Sequence, residues 1–304
     1  MSTDCAVDKE ALAAFLADAL RLVSVELRPL DVACAWPVYK GVAYGRAPFF
    51  VKLTTFEAAA RAMDFLESAD SPLLPKPLLG GMPEFGSYSV LVLEWKPSVR
   101  VNAEDLSDAQ LDGFLEGCLR LRAALDAYCG ADLSPAEEDS PVRQYDALQR
   151  YALRHRLVGR LLRPLLRVPE PERTYGGRPL VTIHGDLQPK NYGFEGDRLA
   201  AVYDTDDLTR GLACEDAAYA FTERARRAEL SSESRRRLAD LFRRLVARSP
   251  WPRDEWTVAV NHARLRIAAR RLAKHPDSPF VAFDIARRDK PLRALLAALE
   301  EPHA

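Results

Sequence analysis

No apolar run in the 304 residues approaches the roughly 20 positions that a membrane-spanning helix needs, which argues against an integral helical membrane protein. The opening residues MSTDCAVDKEA lack the basic and apolar regions of a secretory signal, so a cytoplasmic protein is expected. The five cysteines, at 5, 34, 118, 129 and 214, show no Cys-x-x-Cys spacing, and the five histidines do not cluster beside them. Neither a disulfide framework nor a zinc site is therefore indicated, and the thiols are expected to be small buried hydrophobes. Internal repeats and low-complexity tails are absent, which excludes solenoids and disordered arms.

A large net charge is also missing, since the balance is −1, but the halves differ. Residues 1–150 carry 14 Lys and Arg against 23 Asp and Glu, whereas residues 151–304 carry 29 against 21. The basic second half can attract anions. Its arginines alternate with acids and lack a recognition-helix context, so a DNA-binding module is not supported. With 48% hydrophobic residues the chain can build two lobes with cores of their own.

The densest chemistry lies between Val181 and Gly211. A short apolar run, Leu180 to Ile183, empties into a loop holding His184, Asp186 and Asn191, and a second run, Leu199 to Tyr203, ends on Asp204 with Asp206 and Asp207 behind it. Glu195-Gly196-Asp197 reads as the hairpin turn between them. Two strand ends thus deliver polar groups to one place. Phosphoryl transfer wants that set: an Asn amide oxygen and an Asp carboxylate are hard ligands for Mg²⁺. A further carboxylate, Asp186, would orient an acceptor hydroxyl and take its proton.

His184-Gly185-Asp186, Asn191, Asp204 and Gly211 resemble, in order and spacing, the aminoglycoside phosphotransferase and choline kinase-like (protein-kinase-like) phosphotransferase superfamily. The resemblance implies an α+β fold of two lobes, with a small antiparallel-sheet lobe over about 1–95 and a larger, mainly helical lobe over about 96–304. It implies ATP and Mg²⁺ in the cleft, Asp186 as catalytic base and Asn191 and Asp204 as metal ligands. His184 would support the loop, and Asp216 would be a buried carboxylate bracing it. Lys52, in the strand-like Phe49 to Leu53, takes the place of the lysine that contacts the α and β phosphates. Glu57, in a helix that Thr55 can cap and that runs to about Ser68, could pair with that ammonium; Glu67 is the alternative. Glu94 and Lys96 fall in the connector after the apolar strand Ser89 to Trp95, where backbone groups would hold the adenine edge. The chain departs from the pattern at the phosphate cover, because Cys34-Ala35-Trp36-Pro37 offers no run of glycines.

Hydrophobic spacing predicts further elements. In the first half these are a helix over 8–23 and strands over 23–27, 32–35 and 38–44. A helix opened by a capping box at Ser107 to Gln110 should run to a stop at Gly130. A loop over 131–141 should lead into one long helix over 142–166. Helices are expected near 213–229, 232–248, 253–274 and 290–301.

The expected activity is phosphorylation of a hydroxyl on a small molecule. Gln188 stands where a protein kinase places its catalytic-loop lysine, and too few residues separate Asp204 from the Asp216 helix for a peptide-docking segment. An atypical protein kinase and a non-catalytic nucleotide-binding scaffold remain the alternatives. Trp251 and Trp256 could form part of a cage for a cationic acceptor or could be core anchors. The basic half favours a neutral or anionic alcohol such as a sugar or phosphorylated metabolite.

Overall fold

Strands β1 (Glu26–Pro29), β2 (Val38–Val42), β3 (Phe49–Thr54), β4 (Glu84–Phe85) and β5 (Tyr88–Glu94) form one antiparallel sheet in the order β1-β2-β3-β5-β4. The computed structural model describes residues 7–30, 36–128, 140–170, 175–227 and 229–300. Strand period sets the two faces of β3. Phe49, Val51 and Leu53 point into a core with Val90, Val92 and the Leu12, Leu16 and Leu20 face of α1 (Lys9–Ala19). Phe50 and Lys52 point the other way, toward the helical part. Helix α2 (Phe56–Ser68) starts where the Thr55 hydroxyl accepts the Ala58 amide, and it buries Ala59, Ala62 and Met63 against Leu91 on that second face.

The helical part carries α3 (Asp108–Ala127), opened by the expected capping box, with Ser107 and Gln110 exchanging hydrogen bonds of 3.1 Å. After α4 (Pro141–Arg154) come the single turns α5 (Arg156–Gly159) and α6 (Arg163–Leu166). Short strands β6 (Val181–Ile183) and β9 (Thr209–Gly211) pair antiparallel, as do β7 (Tyr192–Glu195) and β8 (Arg198–Val202). The remaining helices are α7 (Glu215–Ala225), α8 (Ser232–Arg248), α9 (Arg253–Lys274) and α10 (Val281–Glu300). One large core joins Phe65, Leu74 and Leu93 from the sheet side to α3, β7, β8, α7, α8 and α10. Cys118 and Cys214 are buried free thiols. None of the described helices is long and apolar enough to cross a membrane.

Several expectations need correcting. The helix foreseen over 142–166 breaks at His155 (φ −111°, ψ 58°), and the chain then passes Ala152 so closely that a Cβ on Gly159 would lie 2.7 Å from its carbonyl oxygen. Pro164 adds a missing backbone donor. Conversely, α10 starts at Val281, nine residues before the 290–301 that hydrophobic spacing predicts, and it continues through Pro291 because Leu292, Leu295 and Leu299 bury the segment beyond it. The first helix stops at Ala19, and β1 begins at Glu26 because Val23 is fully exposed. The strand over 32–35, most of the loop over 131–141 and the stop at Gly130 lie outside the described residues. Trp256 is buried against Phe242 and Trp251 and donates its indole N–H to the Ser249 hydroxyl, so it is a core anchor.

The β7–β8 hairpin rests on α3 through two glycines. A Cβ on Gly113 would sit 1.9 Å from the Asp197 carbonyl oxygen, and one on Gly117 would sit 2.5 Å from the Leu199 side chain. Gly113→Ala gains about 1 kcal/mol of helix propensity, but a backbone contact that short forces the hairpin outward. A net loss of about 1–3 kcal/mol is expected. Urea unfolding checks it, and an unchanged midpoint would show that the hairpin shifts freely.

Candidate active site

The loop after β6 is fixed from both sides. The Asp216 carboxylate, buried at the start of α7, accepts the amides of His184 and Gly185 at 2.8 and 2.9 Å. Gly185 has φ +80°, and a Cβ there would meet the Asp207 carbonyl at 2.3 Å, so a glycine is required. His184 is fully buried. Its Nε2 lies 2.9 Å from the Tyr203 carbonyl and its Nδ1 accepts the Asp186 amide at 3.3 Å, a pattern that assigns the proton to Nε2. One imidazole therefore ties the loop to the end of β8.

Asp186 is only 8% exposed. The Gln188 amide donates to both of its carboxylate oxygens at 2.7 and 2.8 Å, and the Asn191 amide donates to its carbonyl and its Oδ2, each at 2.9 Å. With Asn191 Nδ2 thus committed, its Oδ1 is the atom left for a cation. Across the cleft, Asp204 has left-handed backbone (φ 69°, ψ 48°), a conformation that Asp tolerates better than most residues and that is held at a strand-to-turn corner.

Lys52 reaches this corner from β3. Its ammonium lies 2.8 Å from both carboxylate oxygens of Asp206 and also pairs with Asp204. Burial works against its charge, but the two carboxylates outweigh burial and raise its pKa. Burial likewise opposes Asp204, which Lys52 nonetheless holds below the usual carboxylate range. For Asp206 burial prevails, helped by the neighbouring Asp204 charge, and its pKa is raised. The ammoniums of Lys52 and Lys190 face the three carboxylates of Asp186, Asp204 and Asp206, which leaves an excess of negative charge that suits a cation.

The connector carries a hydrogen-bond surprise. The Glu94 amide donates to the Lys76 carbonyl at 2.8 Å, and the Lys96 amide donates to the Tyr203 hydroxyl at 2.7 Å. The Glu94 and Lys96 amides are thus both engaged within the protein, and a base seated there would have to displace Tyr203 from Lys96. Burial holds the Tyr203 hydroxyl up at about 12. Leu30, Val38 and Phe50 from the sheet side face Tyr203 and Asn191 across a cleft closed at one end by Trp95 and Lys96.

Asp186, Asn191, Asp204 and Lys52 thus meet in one cleft, with His184 and Asp216 behind them. Glu57 does not join: both it and Glu67 are exposed on α2, whose inward face is Ala59, Ala62 and Met63, so the expected ion pair is replaced by Lys52 with Asp206. The sequence singles out Gln188 but not its bonds to Asp186, and it does not single out Lys190 or Tyr203. The Pro189 turn was a signal for Gln188 and Lys190, but nothing local marks Tyr203.

A model of the phosphotransferase enzyme family matches residues 45–251. No curated protein matches the chain. Among solved structures, a thermostable mutant of aminoglycoside phosphotransferase APH(4)-Ia bound to ADP and hygromycin B superposes with TM-score 0.62 at 16% identity, covering 93% of this chain and 98% of that one. Amicoumacin kinase hAmiN in complex with AMP-PNP, Ca²⁺ and Ami gives 0.62 at 13% identity, covering 94% of this chain and 93% of that one. The macrolide 2'-phosphotransferase MphH from Brachybacterium faecium gives 0.51 at 16%, covering 97% and 99%. These likenesses establish the two-lobed kinase-like fold.

Proposed function

The chain belongs to the phosphotransferase enzyme family, and we propose that it transfers the γ-phosphoryl group of ATP, bound with Mg²⁺, to a hydroxyl of a small neutral or anionic molecule. The observation that supports this most is the convergence of Asp186, Asn191 Oδ1 and Asp204 on one cleft that also receives Lys52. Asn191 and Asp204 would hold the cation. Two protein oxygens suit a metal that takes its other ligands from phosphates and water, as Mg²⁺ does. Bound there, Mg²⁺ would neutralise charge on the phosphate oxygens. Lys52 would then exchange part of its contact with the carboxylates for the phosphates. Asp186 would accept the hydroxyl proton once Gln188 gives way.

The acceptor class follows from what surrounds Asp186. Arg266 on α9 donates to the Gly185 carbonyl at 3.3 Å and lies over the Tyr219 ring, while Arg226 and Arg270 are close enough for their charges to register at Asp186 or Tyr219. Glu223 pairs with Arg226 and Glu215 with Arg266, while Lys190 stands within ion-pair distance of Asp186 and Asp204 and Arg270 adds positive charge near Tyr219. With Lys190, Arg226, Arg266 and Arg270 around Asp186 and Tyr219, a carboxylated or phosphorylated polyol is the acceptor we favour over a polycation.

ATP with Mg²⁺ at about 100 times its dissociation constant should stabilise the protein by ~2.7 kcal/mol, visible as a thermal shift that chelator abolishes. ADP release should follow with anionic or neutral polyols and decline as salt is raised, because exposed attraction is screened over about 10 Å at 0.1 M. No shift at saturating ATP would sink the enzyme reading. Turnover of a polycationic antibiotic alone would overturn the acceptor class.

A further inference from the structure

We propose that Lys190 is a catalytic residue that contacts the phosphoryl group as it passes from nucleotide to acceptor; this rests on the phosphotransferase reading above. Its placement begins with Pro189. The Asn191 amide donates to the Gln188 carbonyl at 2.7 Å, closing a tight turn over 188–191 in which proline occupies the second position and presets its own φ. Lys190 follows at the third position, immediately before the residue assigned to the metal. Its ammonium lies 3.5 Å from Asp186 Oδ2 and 3.9 Å from Asp204 Oδ2, with the side chain 25% exposed, and it lines the nucleotide cleft.

Both separations are longer than a close hydrogen bond, so the ammonium is held as an ion pair between the two carboxylates and can turn toward a phosphoryl oxygen. Each carboxylate also has another partner, although the Lys190 charge helps to hold Asp204 low. Gln188 and Asn191 already donate to Asp186, and Lys52 pairs with the other oxygen of Asp204. What remains is a positive charge between the proton acceptor on one side and the metal-side carboxylate on the other, which is where the transferring group must travel. In the transfer, the bond from the γ phosphorus to the bridging oxygen breaks and ADP leaves with the electron pair. The acceptor oxygen bonds to phosphorus, and its proton passes to Asp186. Negative charge spreads over the three non-bridging oxygens during this exchange, and a pre-placed ammonium favours that state over the ground state.

The test compares wild type with Lys190→Met, which keeps length and removes charge, and Lys190→Arg, which restores charge. Calorimetry is run with Mg·ADP alone and with Mg·ADP plus aluminium fluoride, a mimic of the phosphoryl group in flight. The Met variant should bind Mg·ADP within about threefold of wild type, lose at least about tenfold for the fluoride complex and lose on the order of 10² in kcat at an unchanged acceptor KM. Arg should recover part of both losses. Equal weakening of ADP with and without fluoride, or no weakening of either, overturns the assignment of Lys190 and leaves the phosphotransferase reading standing. Failure of the wild type to bind Mg·ADP or Mg·ATP overturns both.

Discussion

Asp186→Asn is expected to lose on the order of 10² to 10⁴ in turnover while binding ATP with Mg²⁺ nearly as wild type does. The side chain keeps its size and loses the charge that would accept the hydroxyl proton. Nucleotide and metal are assigned to Lys52, Asn191 and Asp204, and the backbone clamp on the loop comes from His184 and Asp216, so the site's frame survives. The new amide leaves one oxygen for the Asn191 donor, and Gln188, only partly buried, can turn aside. Asn191→Ala is the contrast, because it removes both a metal ligand and a donor to Asp186 and should weaken binding and turnover together. ADP release and calorimetry on the same proteins decide the matter. An unchanged turnover in Asp186→Asn would remove Asp186 from the role of base.

Asp204→Ala should weaken Mg²⁺-dependent nucleotide binding by at least about 10²-fold, whereas Asp207→Ala should change it by no more than about threefold. The two residues are three apart in sequence but differ in surroundings. Asp204 lies in the cleft against Lys52, and Asp207 is exposed. Part of any loss in Asp204→Ala could come from the left-handed backbone, which alanine disfavours by roughly 1–2 kcal/mol. Asp204→Asn separates the effects, since asparagine tolerates that conformation and lacks the charge. It should lose most of the Mg²⁺ dependence with little change in melting temperature. Equal losses at 204 and 207 in calorimetric titrations would show that the cation sits elsewhere.

The corner formed by Lys52, Asp204 and Asp206 links both expectations to the fold. In many arrangements of this kind a helix carboxylate would be the obvious partner for a strand lysine, and Glu57 or Glu67 looked available. Burial decided otherwise. The face that α2 turns inward is alanine and methionine, which lets the helix pack closely on Leu91 but offers no charge. A lysine 6% exposed needs compensation for desolvation, and the carboxylates 152 and 154 residues further on supply it. A nucleotide bound as proposed would therefore rearrange an existing ion pair, and a base seated at the connector would displace Tyr203 from Lys96.

What the sequence determined by itself is local. His184, Asp186 and Asn191 fall within one loop because a short strand must end and Pro189 must turn the chain. The alternation in Phe49 to Leu53 puts Lys52 on the face away from α1 whatever that face meets, and the Ser107 capping box opens α3 from four consecutive residues. These features depend on sterics and hydrogen bonds over a few positions, so pattern and spacing carry them. The tertiary structure decided which carboxylate receives the Lys52 ammonium, where the helix after residue 141 breaks, that α10 continues through Pro291, and that Tyr203 takes the Lys96 amide. Each of these is a contest between a local preference and burial against residues distant in the chain, and the outcome depends on packing that spacing along the sequence does not encode.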